Sequence, residues 1–195
     1  LVEVPELTRV YAPVPADVAD RATWASGFIA DPALVSARLA KCMEDRAAAD
    51  AETRDVATRD CIAVIDDGLA ANPVSAELWL ARANLLFQSG AFGEELTTAI
   101  RRAQSSAPYE GWIASTRVIL GIRAFQLLSE DLRSGVLRDL SLVLTDNRLA
   151  EPLAREVVAS VSFRDLTLAL TETLPDDRRE TLLNLVKATI SKSTR

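Results

Sequence analysis

From Ala16 almost to its end, this chain repeats its apolar residues at three- and four-residue intervals, and no stretch alternates polar with apolar. A period near 3.6 builds amphipathic helices, whereas half-buried strands need a period of two. The breaker residues agree. Gly and Pro together make 15 of 195 residues, about 8% against the roughly 12% of average usage, too few for the many turns of a sandwich or barrel. The expected fold is all-α, with about ten helices in antiparallel pairs.

Residues 1–15 hold three prolines and no helical period, so they read as an extended lead-in; residues 16–195 read as one helical domain. Ala16–Ala30 carries an incomplete stripe of Val18, Trp24, Phe28 and Ile29. Asp31-Pro32 has the form of an N-cap followed by a first-position proline. Leu34, Val35, Ala37 (or Arg38), Leu39 and Cys42 follow at helical spacing, and Val56, Ala57, Cys61, Val64 (or Ile65) and Leu69 share a face over about 53–71. Further helices are expected at 75–89, capped by Ser75, at 92–106, burying Phe92 with Leu96, and at 110–128, with Trp112 in its apolar set. The remainder are expected from Ser129 to Leu144, from Asp146 with Pro152 confined to a first turn, at 163–173 behind a capping box at Ser162–Asp165, and at about 176–191.

Composition then removes several functions. With no histidine, Ser-His-Asp and Cys-His pairs and imidazole acid-base chemistry are absent. The net charge of −6 has the wrong sign for general binding to nucleic acid, which needs clustered Lys and Arg. Most of the excess lies in residues 41–70, where eight acids face four bases. No phosphate loop, HExxH or GxSxG pattern occurs, and the paired acids, such as Asp66-Asp67 and Glu130-Asp131, are helix neighbours that do not face one another. No metal and no cofactor is expected. No run of 18 apolar residues is present, so no membrane span is expected.

Cys42 and Cys61 leave two arrangements open. A turn near Asp50–Glu52 makes their helices antiparallel and sets the cysteines at matching height, within bridging reach. One unbroken helix over 33–71 holds them roughly 28 Å apart as free thiols. A bridge implies an oxidising compartment. Leu1 in place of Met leaves room for a removed signal peptide or membrane anchor, so a periplasmic or membrane-tethered location is expected over a cytoplasmic one.

Pro73 and Pro108 lie 35 residues apart, and Trp79 and Trp112 lie 33 apart. The segment 76–108, AELWLARANLLFQSGAFGEELTTAIRRAQSSAP, resembles a tetratricopeptide repeat. Trp79, Ala83, Leu86, Gly90 and Phe92 stand at the motif's early Trp, small, aromatic-site, turn-glycine and second aromatic positions. Leu96, Ile100, Ala103 and Pro108 fit its second helix if one residue is inserted after Phe92. Cys61, Ile65, Gly68 and Pro73 carry the spacing of a preceding second helix. Small residues such as Gly68, Ala83 and Ala103 would let helices approach closely. Beyond Pro108 the period drifts. The resemblance implies a right-handed stack of helix pairs used for protein association, whose end helices cap the stack. The following segment, with Pro108-Tyr109-Glu110, Trp112, Arg117, Leu120-Gly121 and Arg123, is similar to helical proteins of bacterial exopolysaccharide gene clusters, and implies a role in that production or export.

Two sets of candidate binding residues follow. The resemblance places Glu77, Leu80, Asn84, Phe87 and Gln88 near a concave groove, with Asn84 and Gln88 as i,i+4 neighbours able to hydrogen-bond a peptide backbone. The chain has no lysine between Lys41 and Lys187, which argues against gripping a peptide's terminal carboxylate. Arg101, Arg102, Arg117 and Arg123 form a candidate basic patch for an acidic partner or anionic sugar. The leading expectation is a non-enzymatic scaffold or adaptor with a protein partner and no nucleic acid, whose C-terminal helix packs within the chain or makes a homodimer. An enzyme or sugar-binding module with a pocket in 110–145, and a structural oligomer component without ligand, are the alternatives.

Overall fold

A computed structural model describes residues 32–193, which form nine α-helices and, among the described residues, no strand. The lead-in, the stripe at 16–30 and the Asp31 cap lie outside the described residues. The chain divides into two compact units that part between Gly90 and Ala91. The two helices of the expected repeat at 76–108 therefore belong to different units.

The first unit contains α1 (Pro32–Ala48), α2 (Arg54–Ala71) and α3 (Ala76–Gln88). Asp50 makes the turn between α1 and α2: its carboxylate accepts from the backbone N–H groups of Glu52 and Thr53, at 3.1 and 2.9 Å, and from the Thr53 hydroxyl at 2.7 Å. This local bonding competes with helix and ends it. The two helices then run antiparallel, because Arg38 meets Asp67 at 3.7 Å, Cys42 meets Cys61, and Arg46 donates to Thr58 at 2.8 Å. Val35, Leu39, Ile65, Leu69, Leu78 and Leu85 fill the core around Cys61. Full burial of a side chain such as Leu39 or Ile65 contributes about 1.5–3 kcal/mol. Gly68 lets α1 and α3 close onto α2, since a Cβ there would lie 2.7 Å from Val35 and 2.8 Å from Leu78. Ser75 caps α3 as expected, accepting from the Leu78 N–H at 3.3 Å.

The second unit is built round α5 (Gly111–Arg123), which packs against α4 (Glu94–Ser106), α6 (Glu130–Val143), α7 (Asn147–Ala159) and α8 (Val161–Thr171). The last helix, α9 (Asp176–Ser193), packs on α7. Ile113, Ala114, Val118 and Ile122 of α5, Val136, Leu140 and Val143 of α6, and Leu153, Ala154 and Val157 of α7 are all buried.

Four local expectations need correction. The helix expected over 110–128 stops at Arg123, and a 3-10 turn follows at Phe125–Leu127. Arg133 explains the change: it reaches back from α6 to the carbonyls of Phe125 at 3.0 Å and Gln126 at 3.2 Å, with its guanidinium over the Phe125 ring. The cap of α8 is Ser160, not Ser162, because the Phe163 N–H donates to the Ser160 hydroxyl at 3.3 Å. Pro152 lies in the second turn of α7, which continues through it. The lost bond concerns the carbonyl of Arg148, an exposed residue at the start of the helix. Phe92 precedes α4 and is exposed, as are Val56 and Trp112, since each helix buries a narrower stripe than its apolar residues could cover.

Candidate interaction site

A buried ion pair joins α4, α5 and α6. Arg117 is 1% exposed, and its Nε and one terminal nitrogen each donate to Asp139 at 2.6 Å. The other terminal nitrogen donates to the carbonyls of Ala103 at 2.8 Å and Ala107 at 3.1 Å. These carbonyls belong to the last turn and C-cap of α4, which carry the negative end of the helix dipole and need donors. The planar guanidinium suits this double task, pairing two-pronged with one carboxylate while reaching two carbonyls.

One consequence is a braced turn between α4 and α5. Arg117 holds the Ala107 carbonyl. Gly111 sits so close to Leu149 that a Cβ would lie 2.6 Å from its side chain. Ser115, one turn along, donates to the Leu149 carbonyl at 2.6 Å. On this fixed base the turn presents Tyr109, 79% exposed, and Trp112, 47% exposed, with exposed Glu110 between them. Aromatic side chains offer large contact area with few rotamers to freeze, and Trp and Tyr dominate the energetics of protein interfaces.

The four arginines expected as a basic patch do not act together. Arg101 and Arg102 are exposed on α4, with Arg101 3.6 Å from Asp131. Arg117 is buried and committed to Asp139. Arg123 is mostly covered, donates to Glu156 at 2.6 Å, and stands 5.7 Å above the centre of the Phe163 ring, within cation–π range. Burial here is the physical reason for the difference: α5 turns Arg117 towards the packed interior and Arg123 towards α7 and α8. The arginine and the acid that an active pocket in 110–145 would need thus meet, but they are closed on one another.

The groove candidates on α3 divide similarly. Leu80 and Asn84 are buried, and the Asn84 side-chain nitrogen has no hydrogen-bond partner. Phe87 and Gln88 are half-buried. Gln88 accepts from Arg46 at 2.6 Å. Burial lowers the Arg46 pKa, as does the nearby charge of Arg54. Burial also pushes the Glu77 carboxyl above its ordinary value. Asn84 and Gln88 are therefore not a pair of open, solvated groups.

Cys42 and Cys61 form a disulfide, with their Cα atoms 5.5 Å apart. It links α1 to α2 at the height that the Asp50 turn sets. No helix among the described residues is long and apolar enough to cross a membrane. Comparison with known proteins finds no matching family model, no matching curated protein and no matching solved structure.

Proposed function

We propose that this protein is a non-enzymatic helical scaffold, and that the Tyr109–Trp112 turn is where it grips a protein partner. The observation that carries this reading is the contrast between the two layers of that turn. Its underside is fixed by Arg117, Gly111 and Ser115, while its upper side leaves two aromatic rings in water. A rigid, pre-formed aromatic anchor loses little entropy on binding. Charged groups that could do chemistry, Arg117 with Asp139 and Arg123 with Glu156, serve instead as internal ties.

The resemblance of 76–108 to a tetratricopeptide repeat supports a role in protein association. The likeness of 108–123 to helical proteins of exopolysaccharide clusters suggests the process, bacterial exopolysaccharide production or export. The disulfide favours an oxidising location, periplasmic or tethered to a membrane.

The test is affinity isolation from the source cells with the full chain and with Y109A, a change at an exposed position that leaves the packed interior alone. The reading requires a defined protein to be retained by the parent and lost by Y109A while the melting temperature stays unchanged. Retention of the same proteins by both would refute it.

A further inference from the structure

The last helix carries an exposed stripe that neither the core nor the aromatic turn uses. Helix α9 turns Leu182 into α7, with Arg178, Thr181, Leu185, Val186 and Thr189 half-buried around it. Beside this face, Leu183 and Ile190 are each 47% exposed. With Val186 they stand at i, i+3 and i+7, the spacing of a helix-pairing seam. Glu180 and Lys187 flank the seam on its outer side; both are exposed and neither has an ion-pair partner among the described residues. They cannot pair within the helix, because seven residues separate them by about 10.5 Å along its axis.

We infer that α9 pairs antiparallel with α9 of a second copy of this chain. Charge complementarity selects both the occupant and the direction. In an antiparallel pair Leu183 lies against Val186 of the second copy, and Val186 against its Leu183. The same register brings Glu180 of each copy beside Lys187 of the other, so the two-fold axis makes the ion pair twice. In a parallel pair the two-fold axis runs along the helices and sets the Glu180–Lys187 edges of the two copies on opposite sides of the seam, so neither ion pair forms. The seam concerns a different surface from the Tyr109–Trp112 turn and stands independently of that reading.

Sedimentation velocity of the full chain over a range of concentrations tests it. The parent is expected to form a dimer. L183E places two carboxylates in the seam and is expected to weaken the dimer by roughly a hundredfold or more. E180K and K187E each convert both ion pairs into repulsions, and are expected to weaken it roughly tenfold. The E180K/K187E double variant recreates the pairs in reverse and is expected to recover most of the lost affinity. All four changes are at exposed positions, and circular dichroism checks that the helices remain. A monomer at every concentration, a dimer indifferent to L183E, or a double variant no tighter than the singles would each overturn the inference. A parent that stays monomeric but binds another protein through Leu183 would overturn it too, and give the seam to a different partner.

Discussion

Arg117 and Asp139, 22 residues apart in sequence, form a two-pronged ion pair in which both side chains are 1% exposed. Arg117 also supplies the donors for the end of α4. Removing one member strands the other charge in the interior, whereas replacing both with apolar groups of similar size removes the desolvation cost as well.

D139A is therefore expected to lower the unfolding free energy by about 3–5 kcal/mol. R117M/D139L is expected to cost much less than D139A, keeping in mind the two carbonyls that lose a donor. Chemical denaturation followed by circular dichroism measures both. Equal losses in the single and double variants would show that the pair is a net source of stability.

The disulfide closes the α1–α2 hairpin across a sequence separation of 19. Reduction is expected to destabilise the first unit by about 3 kcal/mol. Thermal melts with and without reductant, with mass spectrometry to count free thiols, decide this. A melt indifferent to reductant, with both thiols released, would contradict it.

Acid sensitivity follows from two turn carboxylates. The Thr53 hydroxyl and backbone N–H hold Asp50 below its usual value, and hydrogen bonds from the Arg148 side chain and N–H do the same for Asp146. A depressed pKa means that the unfolded chain takes up the proton first on acidification. The stability these groups contribute is complete above about pH 3.9 and is lost as pH falls through their lower folded values. D50N and D146N are expected to be less stable near neutral pH and to lose less on acidification than the parent. An acid-unfolding curve unchanged in both variants would refute this.

Gly111 is expected to be intolerant of a side chain, because a Cβ would press on Leu149. G111A should cost about 1–3 kcal/mol and displace the aromatic turn as well. Denaturation measures the first effect, and the accessibility of Trp112 to a fluorescence quencher measures the second. A variant as stable as the parent, with unchanged quenching, would mean that Leu149 simply moves aside.

Helix existence was legible because its signals are local. Ser75, Pro108, Asp146 and Pro175 punctuate the chain where the helices begin, and a 3.6 period fills the intervals. Which apolar residues stay in water was not legible: Trp112 and Leu183 fit their helical stripes as well as Ile113 and Leu182 do, and only the neighbouring helix decides between them. The buried pair did leave a trace. Arg117 falls three and four residues after Ala114 and Ile113, and Asp139 lies between Val136 and Val143 at the same kind of spacing. A charged residue centred on each of two apolar faces signals an internal partner. Reading Arg117 with its sequence neighbours as a surface patch overlooked that signal. The turn at Asp50 was one of two arrangements that the sequence left open for Cys42 and Cys61, and only the structure, with the bridge formed, decides for it over one unbroken helix.

As proposed, the braced turn at Tyr109–Trp112 presents its two aromatic rings to a protein partner. Site-specific photo-crosslinking from position 110, with Tyr109 and Trp112 intact, tests it in the source cells. One discrete adduct is expected, which disappears with Y109A or W112A and does not form from a crosslinker at Val74, a 70% exposed position of the first unit. A smear of unrelated adducts, or the same adducts from position 74, would contradict it.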